Sequence, residues 1–312
     1  MRALYCNGKQ VRLDPSFHEP TPLPDEIILN VTHCGICDTD VQLASGYMGF
    51  QGVLGHEFVG VDEYGDRYTA EINNPCRHCH WCARGLETHC PNRTVIGIFR
   101  HDGAMADRVA VPRANLHAIP ESVSDHSAVF IEPLAAAFQI LEQWTVFRSD
   151  KVAVLGDGKL GILCAWVLRT ACENVTLIGK HLNKMALAGH DIEKILLDSA
   201  SQHLAKSFDL VVDATGNPSG LETAIQLCRP RGTIVLKTTI AASHQFNLSP
   251  IVIDEITLIG SRCGPFKTAI DALQADRFPV ENLIQAVYPF NQAEAAFLHA
   301  SQKGSTKIIL QM

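Results

Sequence analysis

Four of the eleven cysteines lie close together in the sequence, at the spacing of metal ligands. Intervals of two, two and seven residues separate Cys76, Cys79, Cys82 and Cys90. Thiolates at this spacing can bind one tetrahedral Zn²⁺, and four protein ligands complete its coordination shell. The cluster therefore predicts a structural zinc that stabilises a looped lobe over residues 71–93. An iron–sulfur cluster is the alternative metal group, and free surface thiols are disfavoured because protein surfaces avoid them.

A second set of potential ligands is spread over three short motifs. Cys37 lies in Gly35-Ile36-Cys37-Asp38-Thr39-Asp40, and His56 and Glu57 follow nineteen and twenty residues later, after Gly55. Glu132 opens the sequence Glu132-Pro133-Leu134-Ala135. Each signal is weak alone, since a lone histidine or cysteine is more often a core or surface residue. Thiolate, imidazole and carboxylate together, with an exchangeable water, are typical of a catalytic zinc site.

A glycine-rich turn, Gly156-Asp157-Gly158-Lys159-Leu160-Gly161, follows an apolar strand-like run and opens a helical one. In a dinucleotide-binding turn the first glycine permits the tight bend and the second lets the backbone approach the pyrophosphate. The third glycine allows close packing of helix on strand, and the helix N-terminus faces the phosphates. The turn therefore predicts a dinucleotide site, and a plain glycine-rich turn is the alternative.

A further group of polar residues follows a later apolar run. Asp213, Thr215 and Gly216 come directly after Leu210–Val212. The carboxyl ends of parallel strands are where α/β sheets bind ligands. We therefore expect these three residues to lie near the cofactor.

Two regions with different patterns of secondary structure position these groups. Residues 1–120 carry short strand-like runs punctuated by proline and glycine, such as Glu26–Val31 and Phe58–Val61, which predicts an irregular, largely β domain. From residue 127 strands alternate with helices, which predicts a parallel, doubly wound sheet. The predicted helices are Ala128–Trp144, Leu160–Thr170, Leu182–Ala188, Leu221–Leu227, Lys267–Ala275 and Ala293–Ala300. The predicted strands are Lys151–Leu155, Val175–Ile178, Leu210–Val212, Thr233–Leu236, Thr257–Ile259 and Lys307–Leu310.

Composition excludes several classes of protein. The chain has 312 residues, of which 46% are hydrophobic and 19% charged, so wholesale disorder is disfavoured. A net charge of −7 without a run of Lys or Arg gives no electrostatic support for nucleic acid or an anionic membrane as partner. The longest apolar stretch, Leu160–Leu168, is far shorter than the roughly 20 residues that span a bilayer. Met1–Gln10 has no apolar signal core, and we expect a cytoplasmic protein.

The motifs together resemble the zinc-containing medium-chain dehydrogenase/reductases, which include alcohol, sorbitol and threonine dehydrogenases. The resemblance covers nearly the whole chain and rests on the motifs around Cys37 and His56, the four-cysteine lobe, Glu132-Pro133-Leu134, the glycine-rich turn and Asp213-Ala214-Thr215-Gly216. It implies a GroES-like irregular β catalytic domain over residues 1–133 and 263–312. A Rossmann-type doubly wound domain over residues 134–262 would bind the cofactor.

The resemblance also implies roles for the ligands of the catalytic zinc. Cys37 and His56 match zinc ligands of the family. Glu57 matches a residue that is a ligand in the polyol and threonine branches and that supports the ligands without touching the metal in others. Glu132 stands where alcohol dehydrogenases often carry a second cysteine and resembles the polyol branch, in which a glutamate contacts zinc directly or through water. Asp40 matches a carboxylate that orients the histidine.

Cofactor preference is expected to depend on the end of the second strand of the dinucleotide domain. By family alignment this position is Gly179, where a carboxylate would bind the ribose hydroxyls of NAD. The carboxylate is missing there, and two cations, Lys180 and Lys184, follow it. This charge pattern predicts NADP in preference to NAD. The alternative is that Lys180 is a solvated surface lysine and NAD binds.

These features predict a zinc- and NAD(P)-dependent alcohol or polyol dehydrogenase with two zinc ions per chain and a small alcohol or carbonyl compound as substrate. Zinc would bind the substrate oxygen, and Thr39, two residues after Cys37, would pass the hydroxyl proton towards solvent. The alternative is that Thr39 is a satisfied helix cap. The competing hypotheses are a zinc-free reductase of the same superfamily, a zinc lyase or hydratase, and a zinc-stabilised NAD(P)-binding sensor without turnover. Family resemblance implies a homodimer or homotetramer.

Overall fold

The computed structural model describes residues 1–8, 10–239 and 245–312. These residues form two compact units, one of Met1–Glu132 with Phe266–Met312 and one of Pro133–Pro265. We call them unit 1 and unit 2. The predicted boundaries followed residues 133 and 262, whereas the units divide after residues 132 and 265. Among the described residues, no helix combines the length and apolarity needed to cross a membrane.

The N-terminal part of unit 1 consists mainly of short strands. The strands are β1 (Ala3–Cys6), β2 (Val11–Asp14), β3 (Glu26–Ile36), β4 (Gly52–Val53), β5 (Glu57–Val61), β6 (Arg67–Ala70), β7 (Asn73–Asn74), β8 (Thr94–Val95), β9 (Arg108–Pro112) and β10 (Leu116–Ala118). The α-helices are α1 (Asp38–Ala44) and α2 (Asp125–Ala128). Single 3₁₀ turns cover Tyr47–Gly49, Cys82–Arg84, Glu87–His89 and Arg113–Asn115.

Strands and helices alternate through unit 2. The strands are β11 (Lys151–Leu155), β12 (Asn174–Gly179), β13 (Glu193–Leu196), β14 (Phe208–Asp213), β15 (Cys228–Leu236) and β16 (Thr257–Gly260). The helices are α3 (Ile131–Gln143), which begins at the unit boundary, α4 (Lys159–Ala171), α5 (Leu182–Met185) with a 3₁₀ turn at Ala186–Ala188, α6 (Leu197–His203), α7 (Ser219–Leu227) and α8 (Ser249–Ile253).

The chain then returns to unit 1. Its C-terminal elements are α9 (Phe266–Gln274), β17 (Ile284–Pro289), α10 (Ala293–Ala300) and β18 (Lys307–Gln311), with 3₁₀ turns at Val280–Leu283 and Phe290–Gln292.

The six strands of unit 2 are all parallel, in the order β13-β12-β11-β14-β15-β16. Numbered from β11, this is the 3-2-1-4-5-6 order of the doubly wound dinucleotide-binding fold. The order reverses between β11 and β14, where such folds bind their ligand. Four of the five residues of β11 are buried, as expected of a parallel strand covered on both faces.

Strand β3 is central to the main sheet of unit 1, whose order is β10-β6-β5-β3-β18-β17. It pairs antiparallel with β5 and β18 and, at its N-terminal half, with β9. Gly35 of β3 lies opposite Glu57 on one side and Ile309 on the other. This register brings the start of β5 and the final strand to the C-terminal end of β3, immediately before Cys37.

The predicted fold class, an irregular β unit joined to a doubly wound parallel sheet, is confirmed. The predicted helix Ala128–Trp144 is wrong as a single element, because the chain forms α2 and α3 with a break at residues 129–130. In residues 127–312 the sequence analysis missed β13, α6, α8 and β17. The residues of β13 and β17 are at most half-buried, so they lack the apolar run that marks a central strand.

Candidate active site and cofactor site

A buried carboxylate, Asp40, joins the two halves of the candidate metal site. Cys37 is the N-cap residue of α1, and its backbone N–H donates to Asp40 Oδ2 at 2.8 Å. The backbone N–H of Gly55 donates to Asp40 Oδ1 at 3.2 Å. The same oxygen lies 3.5 Å from Nδ1 of His56. Asp40 therefore holds the loop that carries His56 by a hydrogen bond and faces Nδ1 of the ring at ion-pair distance, which leaves Nε2 as the nitrogen available to a metal.

Cys37, His56 and Glu57 lie together, with one potential ligand atom from each within 4.8 Å of the others. Cys37 is half-buried, whereas His56 and Glu57 are buried. Burial raises the pKa of the Cys37 thiol. Burial alone would lower the pKa of His56, but the Asp40 carboxylate raises it well above its usual value. Thiolate, imidazole and carboxylate are a donor set that suits Zn²⁺, so these residues fit the predicted catalytic metal.

Glu57 also pairs with a lysine from the last strand. Nζ of Lys307 donates to Glu57 Oε2, and both side chains are 1% exposed. The space they share depends on Gly35, where a Cβ would lie 2.7 Å from Glu57 Oε2 and 2.6 Å from Val129 Cγ1. No motif pointed to Lys307. The one available signal was a lysine at the start of the otherwise apolar strand Lys307–Leu310.

Two other predicted catalytic residues lie on helices of the described structure. Thr39 is half-buried in the first turn of α1 and is not the helix cap, since Cys37 holds that position. Glu132 is half-buried in the first turn of α3. It is not among the three residues that lie together as potential ligands, so its contact with zinc stays a prediction.

The four clustered cysteines form the second group of potential ligands, again within 4.8 Å of one another. Their Sγ atoms are 3.5 Å apart for Cys79–Cys82 and for Cys76–Cys90, and 3.8 Å apart for Cys79–Cys90. These are close to the edges of a tetrahedron with metal–sulfur bonds of ~2.3 Å. The backbone N–H of His78 is the main cause that lowers the pKa of Cys76 to about 6, which favours the thiolate. The group fits a closed, structural zinc.

Asn115 anchors this lobe to the rest of unit 1. Its buried side-chain amide donates to the carbonyl of Glu71 at 2.9 Å, to that of Asn73 at 2.8 Å and to Oδ1 of Asn74 at 2.8 Å. Its Oδ1 accepts a 2.6 Å hydrogen bond from Arg77, which lies between Cys76 and Cys79. A single side chain from outside the lobe thus connects residues 71–74 to the loop between the first two ligands.

The glycines of the turn lie between β11 and α4 as the predicted roles require. Gly156 has φ of +114°, and a Cβ there would lie 2.5 Å from the carbonyl oxygen of Ala214. A Cβ on Gly161 would lie 1.9 Å from the carbonyl oxygen of Gly156, so α4 packs directly on the turn. Gly158 is the N-cap of α4 and has open space where a side chain would project, which leaves room for a ligand. Lys159 is buried and Leu160 half-buried in the first turn of α4.

Asp213, Thr215 and Gly216 form a single hydrogen-bonded turn at the end of β14. Asp213 Oδ1 accepts from the backbone N–H of Thr215 at 3.0 Å, from its hydroxyl at 2.7 Å and from the hydroxyl of Thr238 at 3.1 Å. Thr238 in turn accepts from the backbone N–H of Gly216 at 3.0 Å. Asp213 therefore orders the turn next to the glycine-rich loop, and its direct contact with a cofactor stays a prediction.

The end of β12 departs from the sequence-based expectation in one respect. Gly179 lacks a carboxylate, as predicted, but the carboxylate of Asp157 from the glycine-rich turn lies beside it. This group accepts from the backbone N–H groups of Lys180 and His181, and it lies 4.0 Å from Nζ of Lys184. The sequence analysis treated Asp157 only as a variable position within the turn.

Comparison with known proteins shows which proteins the chain resembles. The family model of the alcohol dehydrogenase GroES-like domain matches residues 23–121, and that of the glucose dehydrogenase C-terminus matches residues 125–312. A probable D-xylulose reductase A of Aspergillus clavatus is 28% identical and aligns over 88% of this chain and 86% of its own. A sorbitol dehydrogenase of Halalkalibacterium halodurans is 26% identical over 94% and 93%, respectively.

A solved structure also resembles this chain in its fold. The alcohol dehydrogenase RspB of Escherichia coli, determined with NADH, is 27% identical and superposes with a TM-score of 0.89. The match covers 100% of this chain and 99% of that one. Two family models that together cover most of the sequence, and the two sites described above, lead to one assignment. The chain belongs to the zinc-containing medium-chain dehydrogenase/reductases, the family of alcohol and polyol dehydrogenases.

Proposed function

We propose that the protein is a zinc-dependent oxidoreductase that transfers a hydride between an alcohol and a nicotinamide cofactor. The observation that carries this proposal is the open donor set of Cys37, His56 and Glu57, present together with a separate four-cysteine group. A catalytic zinc keeps a position for substrate, whereas a structural zinc is closed by protein ligands. The sorbitol dehydrogenase and xylulose reductase relatives support a polyol or similarly hydroxylated substrate.

In this proposal the side chains of unit 1 have separate roles. Cys37, His56 and Glu57 hold the catalytic zinc, and Glu132 contacts it directly or through water. Bound zinc supplies a Lewis acid that lowers the pKa of the substrate hydroxyl. The hydroxyl oxygen of Thr39 accepts the proton that the substrate loses and passes its own proton towards solvent.

The glycine-rich turn and the N-terminus of α4 bind the pyrophosphate of the cofactor. We propose a modest preference for NADP over NAD, supported by the missing side chain at Gly179 and the cations Lys180 and Lys184, and limited by the Asp157 carboxylate beside Lys184. The test is kcat/KM with each cofactor at the same substrate concentration. A higher value with NADP is expected, and a strong preference for NAD would overturn this part of the proposal.

The main experiment combines metal analysis with turnover. Purified protein should contain two zinc ions per chain, and a panel of polyols, simple alcohols and their carbonyl products should produce a change in nicotinamide absorbance. Fewer than two zinc ions would favour the zinc-free reductase. Cofactor binding without turnover of any substrate would favour the NAD(P)-binding sensor.

We further propose a homodimer or homotetramer that forms through the edge of the unit 2 sheet. Strand β16 is the last in that sheet, and its residue Leu258 is exposed. Exposed edge strands with apolar side chains are prone to pair with another chain. Light scattering should give an oligomer that Leu258→Lys weakens, and a monomeric wild type would contradict the proposal. A cytoplasmic location stays a prediction.

A further inference from the structure

The carboxylate of Asp157 occupies the space that a side chain at Gly179 would need. A Cβ built on Gly179 would lie 2.6 Å from the Cβ of Asp157 and 2.7 Å from its Oδ2. Real side chains do not approach so closely, so one of the two positions must lack a side chain. A carboxylate therefore lies at the end of the second strand, carried by the turn that follows the first strand.

The two oxygens of this carboxylate have different surroundings. Oδ2 accepts from the backbone N–H of Lys180 at 2.7 Å and from that of His181 at 2.7 Å, and it lies 3.0 Å from Nδ1 of His181. Oδ1 lies 4.0 Å from Nζ of Lys184. Burial alone would raise the pKa of Asp157, but the two backbone N–H donors and His181 lower it. The group is therefore an anion at neutral pH, and with 12% of its side chain exposed it remains accessible.

These contacts have a direct consequence for a 2′-phosphate. Backbone N–H groups in a loop after a strand are natural donors to a phosphate, and a nearby lysine supplies charge. At this loop Asp157 already accepts from two such N–H groups and lies beside the lysine. An incoming 2′-phosphate would have to compete with a fixed carboxylate for the same donors and would be repelled by its charge.

We propose that Asp157 is a specificity-determining residue for the adenosine end of the cofactor. Its Oδ1 accepts a hydrogen bond from the 2′-hydroxyl of the ribose of NAD, and its charge opposes the 2′-phosphate of NADP. The inference rests on the proposed nicotinamide cofactor site. It also implies that any preference for NADP produced by Lys180 and Lys184 is small in the wild type, because Asp157 acts against them.

The decisive variant is Asp157→Asn. An asparagine keeps an oxygen that can accept from the N–H groups of Lys180 and His181, so the loop remains held while the charge is lost. Dissociation constants of NAD⁺ and NADP⁺ for the zinc-loaded, full-length protein would be measured by calorimetry. The ratio of the two constants should move about tenfold towards NADP, because a unit charge beside the phosphate is removed. Asp198→Asn, an exposed carboxylate on α6, is the control and should leave the ratio unchanged.

A second variant moves the carboxylate instead of removing it. The double substitution Asp157→Gly with Gly179→Asp places the acid at the end of β12, and it should keep the wild-type ratio within about threefold. If Asp157→Asn weakened the binding of NAD⁺ and NADP⁺ equally, the inference alone would be overturned. The same holds if the double variant did not keep the wild-type ratio of the two dissociation constants. Failure of the wild type to bind either dinucleotide would overturn the proposed function and this inference with it.

Discussion

The ammonium group of Lys307 donates a hydrogen bond to the carboxylate of Glu57 in the interior of unit 1, where both side chains are 1% exposed. The Lys307 ammonium also lies 5.5 Å from the centre of the Phe130 ring. Two opposite charges are thus removed from water directly behind the candidate metal ligands. Such a pair is costly to form and more costly to break, because removal of one partner leaves the other charge buried without compensation.

Lys307→Met is therefore expected to lower the free energy of unfolding by about 3–5 kcal/mol, since it leaves the Glu57 charge unpaired. Chemical denaturation of protein without metal at Cys37, His56 and Glu57 would measure the change, because a zinc bound there would itself compensate the Glu57 charge. Lys303→Met is the matched control, because Lys303 is exposed four residues earlier, and its effect should stay within about 0.5 kcal/mol. Equal effects of the two variants would show that the buried pair does not stabilise the fold.

Cys37→Ser should affect turnover, whereas Cys79→Ser should affect stability. Cys37→Ser removes one ligand of an open site, so turnover should be lost while the melting temperature and cofactor binding stay nearly unchanged. Cys79→Ser opens a closed site whose metal contributes folding energy, so the melting temperature should fall. Zinc content, thermal unfolding and turnover of both proteins provide the comparison. If both variants only lost stability, the assignment of one catalytic and one structural site would be wrong.

Asn115→Ala should destabilise the four-cysteine lobe without removing a ligand. It leaves the carbonyls of Glu71 and Asn73 without their donor, at a cost of about 1–3 kcal/mol. Denaturant unfolding measures this loss, and zinc content should remain at the wild-type level. Asn174→Ala, at an exposed position of β12, is the control and should change stability by less than about 0.5 kcal/mol. Loss of zinc from Asn115→Ala at unchanged stability would contradict the anchoring role.

Asp125 should make unit 1 sensitive to acid. Hydrogen bonds from His33 and then Arg67 hold the pKa of this carboxyl far below its usual range. The other charged and titratable groups nearby are His126, whose ring is 5.3 Å from that of His33, and Glu281, whose carboxylate accepts from Ser124, the N-cap of α2, and from Ser127.

A carboxyl whose pKa is lower in the folded state stabilises the fold above its unfolded pKa of about 4, and this contribution is lost as the pH falls through the folded value. The melting temperature of the wild type should therefore exceed that of Asp125→Asn at pH 7, and the difference should shrink below about pH 4. Thermal unfolding of both proteins across this range measures it. A difference that is constant with pH would exclude the ionised carboxylate as its cause.

The parts of the fold and site that the sequence predicted are those encoded by local spacing. Cys37, His56, the four clustered cysteines and the glycines of the turn belong to short motifs, and apolar runs mark β11 and α4. Lys307 is separated from Glu57 by 250 residues, so only the pairing of β18 with β3 shows that they meet. Asp157 was missed for a related reason, because its partners follow the next strand of the sheet. The sequence did not predict strand β13, because it is an edge strand with little buried surface.

The position of β18 between β3 and β17 has a consequence for biosynthesis. A ribosome releases residues 133–265, a parallel sheet complete in itself, before it releases the strand that pairs with β3. Unit 2 can therefore fold on the nascent chain. The main sheet of unit 1 is completed only after β18 has been released, because β18 pairs with β3 at its centre.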